Sequence, residues 1–350
     1  LSGPTVIALD AMGGDRAPEM IVAGANEARD RHPDVRFLLY GDAPRLGKLL
    51  ERFPRLAAAS EVRASDSVVG PNDRPSVALR QGRRSSMRLA IDAVRDGDAG
   101  GVVSAGNTGA LMAMAKMVLK TLPGIKRPAL ASMLPTVRGE VVLLDLGANV
   151  ECDAENLVQF ALMGALFARD VVGIPRPSVG LLNVGHEEVK GHDELRLAYE
   201  ALRGAEDLPM RFHGFIEGND IGAGAVDVVV SDGFTGNIAL KTIEGTARLY
   251  SDFLRATFRR SVISKLGYLL ARPALNALRN RVDPRRYNGG MFLGLSGVAV
   301  KSHGGTDSYG FANAIGFAVD MIAHDFNAKV KAEIERWHAR HLDTPRAAAL

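Results

Sequence analysis

One six-residue pattern, Ser-x-Gly-x-Thr-Gly, occurs twice in the same setting. The first copy is Val102-Val103-Ser104-Ala105-Gly106-Asn107-Thr108-Gly109, and the second is Val229-Val230-Ser231-Asp232-Gly233-Phe234-Thr235-Gly236-Asn237. An apolar β-branched run enters each copy, and a helix-forming segment leaves it, Leu111 to Lys120 and Ile238 to Leu254. Each therefore predicts a strand, a tight turn and a helix N-terminus. Free N–H groups and the positive end of the helix dipole suit such a terminus to an anion. The structural alternative is that the glycines permit positive φ and close packing, with Ser or Thr capping the helix. Between the copies, Leu181-Leu182-Asn183 runs into a polar segment ending at His192, which reads as a buried strand entering a loop that carries Lys190. We expect both turns and this loop to face one cleft, where an anion meets a second substrate.

The rest of the chain repeats the grammar. Thr5 to Leu9 predicts a strand ending in Asp10-Ala11-Met12-Gly13-Gly14-Asp15, before a helix opened by Pro18 and Glu19. Strands at Val35 to Tyr40 and, more weakly, Ala58 to Ala64 complete a βαβαβ unit, which implies a parallel sheet covered on both faces. Further strands are expected at Ala129 to Leu134, at Val141 to Leu144 before Asp145-Leu146-Gly147-Ala148-Asn149, near Arg211 to Ile216, and at Gly297 to Val300. Helices are expected from Pro75 to about Val94, from Asn156 to Val172, near Asp193 to Leu202, and from Asp307 to Trp337. The expected fold class is α/β, a three-layer, doubly wound, mostly parallel sheet. No linker divides it, so residues 1–342 are expected to form one two-lobed body, with 343–350 a frayed tail. Ligands in open parallel sheets bind beyond the carboxyl ends of the strands, where Asp10, Gly13, Ser104, Asn107, Asp145, Asn149, Asn183, Lys190, Ser231 and Gly233 all fall in this reading.

Composition narrows the partners. A single cysteine, Cys152, excludes an intrachain disulfide framework and fits a reducing cytoplasm. No apolar run approaches the roughly 18 residues of a membrane span, and no signal-peptide pattern is present. A net charge of +3 implies no nucleic-acid partner. The positive charge is concentrated, since Phe253 to Val282 holds seven Lys and Arg and no Asp or Glu. There Leu254, Phe258, Val262, Leu266 and Leu270 recur every fourth residue among Arg255, Arg259, Arg260 and Lys265, and Arg272-Pro273 is expected to break the helix. Residues 250–286 thus read as a basic amphipathic helical hairpin. It is either an interface or core-covering pair, or a docking surface for an anionic bilayer or an acidic carrier protein.

Other motifs exclude chemistries. Neither turn is a Walker loop or a dinucleotide fingerprint, so a nucleotide is not indicated. His186-Glu187-Glu188-Val189-Lys190 departs from a zinc-protease helix at its last position, where Lys190 replaces the required His. That lysine can hold phosphate or neutralise an oxyanion, or else pair with Glu187 or Glu188. Cys152 has no neighbouring base in sequence and reads as a packing residue. The segment Lys301-Ser302-His303-Gly304-Gly305 repeats the strand-to-turn grammar, and Lys301 or His303 can add charge to it. Arg80, Arg83, Arg84 and Arg88 read as a solvated basic helix face, with the alternative that one of them reaches an anion.

Taken in order, Ile7 to Asp15, Ser104 to Gly109, Asp145 to Asn149, Glu217-Gly218, Asp227 to Asn237 and Ser302-His303-Gly304 give a sequence that resembles the bacterial phosphate acyltransferase (PlsX) family over most of its length. The resemblance implies a fold akin to isopropylmalate dehydrogenases and phosphotransacetylases. It implies reversible transfer of a fatty acyl group from acyl carrier protein to inorganic phosphate, giving acyl phosphate for phospholipid synthesis. It further implies a homodimer held loosely at the inner face of the cell membrane, upstream of a glycerol-3-phosphate acyltransferase, with no metal or organic cofactor. Gly185-His-Glu187-Glu-Val-Lys190-Gly191 fits the family segment whose lysine is implicated in catalysis. Lys190 and Asn183 are therefore the expected catalytic residues. Phosphate and acyl contacts are expected from Asp10, Gly13, Gly14, Ser104, Gly106, Asn107, Thr108, Gly109, Asp145, Asn149, Asp232, Gly233, Thr235, Gly236, Asn237 and His303. Docking is expected from Arg255, Arg259, Arg260, Lys265 and Arg272. Three alternatives remain: a non-catalytic membrane scaffold built on the hairpin, a phosphotransacetylase that uses coenzyme A thioesters, and a metal- and NAD-dependent decarboxylating dehydrogenase. The last needs clustered Asp ligands, whereas here the Asp residues stand singly at strand ends.

Overall fold

The computed structural model describes residues 4–205 and 208–341, so the tail expected at 343–350 lies outside the described residues. The chain opens with β1 (Val6–Asp10), α1 (Glu19–Arg31), β2 (Arg36–Gly41), α2 (Ala43–Leu50), α3 (Pro54–Ala58), β3 (Ser60–Ala64), α4 (Pro75–Gln81), α5 (Ser86–Arg95), β4 (Gly101–Ser104) and α6 (Thr108–Leu119). It continues with β5 (Ala129–Pro135), β6 (Glu140–Leu144), α7 (Ala154–Phe167), β7 (Ser178–Leu182), α8 (Asp193–Arg203), β8 (Arg211–Ile216), α9 (Gly218–Ala223), β9 (Val228–Val230), α10 (Gly233–Arg259) and α11 (Val262–Arg281). The return to the first strands is made by β10 (Gly290–Leu293), β11 (Val298–Lys301), α12 (Ser308–Ala323) and α13 (Phe326–His341).

All eleven strands join one sheet in the order β3-β2-β1-β4-β11-β10-β5-β6-β9-β7-β8. Helices cover both faces, giving the three-layer α/β fold expected. A continuous core under α1, α7, α12 and α13 fills one side, including Phe37, Phe160, Phe167, Phe311 and Phe326. Two smaller cores fill the other, one under α5 and α6 around Met87, Leu111 and Met114, the other under α9 and α10 around Leu143, Ile216 and Val229.

Strand direction is the decisive feature. β3, β2, β1, β4 and β11 are parallel, and so are β6, β9, β7 and β8. The joins β11–β10, β10–β5 and β5–β6 are all antiparallel. Three reversals leave the two parallel groups running in opposite directions. The carboxyl ends of β1, β4 and β11 therefore leave the sheet at one end, and those of β6, β9 and β7 at the other.

Local chemistry corrects three helix boundaries, one of them inside the stretch from Asp307 to Trp337, where α12 and α13 are separated at Asp325 with φ +51°. The helix expected from Pro75 to Val94 is two, because Gly82 closes α4 and the Ser85 hydroxyl caps α5 by accepting from the Arg88 amide at 3.2 Å. The four-residue apolar repeat from Leu254 to Leu270 does not follow one helix either. α10 ends at Arg259, and the Ser261 hydroxyl starts α11 by accepting from the Ser264 amide at 3.0 Å. Pro273 lies inside α11 and does not break it. The basic face around α4 and α5 is largely spent, since Arg84 pairs with Asp66 at 2.5 Å and Arg88 with Asp92 at 3.1 Å.

The glycines of the second turn serve packing. A Cβ at Gly236 would stand 2.0 Å from the carbonyl oxygen of Asp145, whereas one at Gly47, exposed on α2, would meet nothing within 4 Å. Gly236→Ala should therefore cost about 1–3 kcal/mol of stability, while Gly47→Ala should be neutral or stabilising by a few tenths to about 1 kcal/mol. Chemical denaturation of both variants checks this, and equal midpoints would remove the packing role of Gly236.

Candidate functional site

Adjacent strand ends create two polar rims. The first collects the turns after β1, β4 and β11. Asp10 is 1% exposed, and its carboxylate oxygens accept from the hydroxyls of Ser86 and Ser104, each at 2.6 Å. Burial raises the Asp10 pKa above its ordinary value against the pull of those hydrogen bonds. The Ser104 hydroxyl accepts from the Gly106 amide at 3.0 Å. Gly13 approaches so closely that a Cβ there would lie 2.8 Å from the Gly106 nitrogen, and Gly14 sits at φ +107°. The Asp15 amide donates to the carbonyl of Gly304 at 3.0 Å, which ties in the turn after β11.

Asn107 organises this rim. Its side-chain oxygen caps α6 by accepting from the Ala110 amide at 3.0 Å, and its amide nitrogen donates to the carbonyls of Gly70, Pro71 and Asp73. Thr108 and Gly109 form the first turn of α6. His303 lies exposed at the outer edge, where its Nδ1 accepts from the Gly305 amide at 3.2 Å, so the ring proton of the neutral form sits on Nε2. Burial first, and then the charge of Lys301, lowers its pKa. The middle of α10 brings Lys241, Glu244 and Arg248 into electrostatic range of this ring.

The second rim collects the turns after β6, β9 and β7. Asp145 is fully buried and accepts from the amides of Leu130, Ala148 and Asn149 and from the Asn149 side chain, at 2.7–3.1 Å. The remaining donor of the Asn149 side chain goes to the carbonyl of Pro128 at 2.8 Å. These groups hold the turn rather than project from it. At the start of α10, the Gly233 amide donates to the carbonyl of Asn149 at 2.7 Å, and both the amide and hydroxyl of Thr235 donate to the Asp232 carboxylate at 2.8 and 2.7 Å. Asn237 is exposed one turn on.

Lys190 stands on the loop after β7. Its side chain is 48% exposed and pairs with Glu187 at 3.3 Å. The loop is pinned from several sides: the Asn183 side chain donates to the Lys190 carbonyl at 3.2 Å, Arg196 donates to the carbonyls of Val189 and Gly191, and His186 contacts the Phe215 carbonyl at 3.2 Å. Asn183 thus acts on the loop that carries Lys190. Val184 and Val189 flank that lysine, 78% and 80% exposed.

The expectation of one cleft for both turns and the loop is corrected by strand direction. The second turn and the Lys190 loop do share a rim, since β9 and β7 are neighbours in parallel. The first turn leaves the opposite end of the sheet, and among the described residues no hydrogen bond joins residues 10–15 or 104–109 to residues 145–149 or 231–237. Of the residues singled out in sequence, Asp10, Gly13, Gly14, Ser104, Gly106, Asn107, Thr108, Gly109 and His303 fall on the first rim. Asp145, Asn149, Asn183, Lys190, Asp232, Gly233, Thr235, Gly236 and Asn237 fall on the second. Ser86, the second donor to Asp10, carries no signal in sequence beyond its place at a helix start.

Cys152 is half-buried, and burial pushes its thiol up to about 12, so it offers no thiolate near neutral pH. Arg255, Arg259, Arg260, Lys265 and Arg272 lie on the distal part of α10 and on α11, which has no buried residue. Exposed apolar side chains alternate with them, among them Phe253, Val262, Ile263 and Leu270 at 61–84% exposure. No helix among the described residues is long and apolar enough to cross a membrane.

Lys301, at the end of β11, is 9% exposed, and burial lowers its pKa from 10.5 to about 8, with the carboxylates of Asp10 and Asp15 opposing. In the unfolded chain this lysine titrates at its ordinary value. Between pH of about 8 and about 10.5 the unfolded state then binds the additional proton, so stability should rise with pH across that window. Its contribution is on the order of 3 kcal/mol. Denaturation midpoints at the two ends of the window should converge in Lys301→Met, and an undiminished rise in that variant would assign it to other groups.

The profile of the fatty acid synthesis protein family matches residues 5–329. A phosphate acyltransferase of Rhodospirillum centenum is 65% identical over 333 residues, covering 95% of this chain and 94% of that one. One from Paramagnetospirillum magneticum is 56% identical over 336 residues, covering 96% and 95%. Among solved structures, a phosphotransacetylase from Streptococcus pyogenes superposes with a TM-score of 0.63 at 17% identity over 92% of this chain and 95% of that one. The EutD phosphotransacetylase of Staphylococcus aureus gives 0.59 at 16% identity over 91% and 94%. At those identities the structures establish a shared fold, while the sequence relatives establish more: this chain belongs to the fatty acid synthesis protein family, and its relatives there are phosphate acyltransferase enzymes.

Proposed function

We propose that the protein transfers a fatty acyl group reversibly from the thioester of acyl carrier protein to inorganic phosphate. Its product is then an acyl phosphate, consumed in phospholipid synthesis by a glycerol-3-phosphate acyltransferase. The observation that carries the reading is the state of Lys190 within a chain whose relatives are phosphate acyltransferases. Water screens both charges of an exposed ion pair such as Lys190–Glu187, so an anionic substrate can displace Glu187 at little cost.

The chemistry needs little beyond placement and charge. A phosphate oxygen attacks the thioester carbonyl, the carbon–oxygen bond forms, and a tetrahedral oxyanion develops. Collapse breaks the carbon–sulfur bond, and the thiolate leaves with the electron pair. Phosphate is already a nucleophile and a thiolate a good leaving group, so positioning and electrostatic stabilisation can supply most of the rate. Lys190 is assigned to the oxyanion, with Asn183 positioning its loop. No covalent enzyme intermediate is required, in keeping with the raised thiol of Cys152.

The two rims leave opposite ends of one sheet, so a reaction that draws on both would take them from two protomers of a homodimer. The α10–α11 hairpin is assigned to docking of the acidic carrier or the anionic membrane face, because its basic and apolar side chains are both exposed.

Lys190→Ala should lower phosphate-dependent thioester cleavage by roughly 100-fold or more while leaving the circular dichroism and melting temperature unchanged. Near-normal rates would remove the assigned role. An assay with acyl carrier protein against coenzyme A thioesters separates the proposed donor from its alternative. Charge reversal at Arg259, Arg260 and Lys265 together should weaken binding to carrier protein or to anionic vesicles most at low ionic strength, where screening is least. Unchanged binding in that variant at low salt would return the hairpin to a structural role.

A further inference from the structure

Lys301 is the buried cation that the reaction as proposed leaves unused. Its side chain ends β11, which lies beside β4 with Lys301 in register with Ser104, directly before the first turn of α6. The ammonium donates to the carbonyl of Ser302. An ammonium has three N–H groups, so two remain without a protein acceptor among the described residues. No carboxylate there stands within ion-pair distance of Nζ, although Asp10 and Asp15 are both close enough to act on it electrostatically. A buried charge without a partner is costly by several kcal/mol. Retaining one calls for an anion that is bound when the site is filled.

The surroundings suit a tetrahedral oxyanion. Both oxygens of Asp10 already accept from serine hydroxyls, so its carboxyl group is engaged within the protein. Asp15 is exposed and screened by water. The α6 N-terminus adds free amides and the positive dipole end, since Asn107 caps only the Ala110 amide. His303, with its proton on Nε2, adds one more donor at the rim; Lys241 and Arg248 of α10 also lie in its electrostatic range, both paired with Glu244 at 2.9 and 3.6 Å. We propose that Lys301, His303 and the first turn of α6 form the site that holds inorganic phosphate. This rests on the reaction proposed above only for the identity of the anion as co-substrate.

The test measures phosphate directly and in turnover. Lys301→Met should raise the KM for phosphate about tenfold or more, leave the KM for the acyl thioester unchanged, and abolish the rise in melting temperature that phosphate gives the wild-type protein. Lys190→Ala should keep that rise. Crystals of the wild-type protein soaked in phosphate or tungstate give a readout that does not depend on the variant folding. Density within hydrogen-bond distance of Lys301 Nζ supports the site, and density only elsewhere overturns it. Turnover with a Lys301-independent phosphate KM removes the site and leaves the reaction standing. If no acyl thioester is converted while the soak and the thermal shift still track Lys301, the reaction falls and the phosphate site stands.

Discussion

Three antiparallel joins in the middle of the sheet, β11–β10, β10–β5 and β5–β6, govern everything that follows. In a sheet parallel throughout, every βα turn would open at one end, and the duplicated motif would form two walls of a single cleft. An odd number of reversals sends the two halves in opposite directions. Each copy then builds its own rim with whichever strands lie beside it. β4 meets β1 and β11, whereas β9 meets β6 and β7.

The rims share a design. Each is organised by an aspartate at a strand end that is turned inward and hydrogen-bonded, Asp10 to Ser86 and Ser104, Asp145 to three backbone amides and the Asn149 side chain. A carboxylate satisfied in this way fixes the turn around it. What differs is the donors left over. On the second rim the first turn of α10 is largely spent on Asp232 and Asn149, and the available cation is the half-exposed Lys190. On the first rim the α6 turn keeps amides beyond its single cap, and the cation is the buried Lys301. One rim thus offers a half-exposed charge on a loop, the other a buried charge in a setting where it acts more strongly.

α10 connects these regions. It begins at the second rim at Gly233, and by Lys241 to Arg248 it faces His303 of the first. Its distal turns then leave the body and pair with α11, stitched at the tip by an edge contact between Phe258 and Tyr268, 5.4 Å between centroids. The exposed apolar residues of this extension lie in helices with no core to cover, which is the pattern of a surface that meets another one.

Much of the fold was legible in the chain. Apolar runs that stop at Asp10, Ser104, Asp145, Asn183 and Ser231 marked the strands and their carboxyl ends, because burial on both faces demands unbroken Val, Ile and Leu and a turn demands Gly, Asn or Asp. The α/β class and the identity of nearly every polar turn residue followed from that local grammar, whereas the family followed from the resemblance of the ordered motifs. Helix breaks at Gly82 and Ser261 were less visible, since a cap is a matter of one hydroxyl finding one amide. Which turns lie together was not written locally at all. Strand direction is set by long-range pairing, and the short β10, Gly-Met-Phe-Leu, reverses polarity with nothing in its own residues to announce it. The role of Asp10 needed Ser86, distant in sequence, and the isolation of the Lys301 charge needed the whole surrounding core to be in place. Sequence therefore determined the elements and the chemical groups at their ends, and tertiary structure decided which of those groups meet, because only packing fixes the partners and the water each one loses.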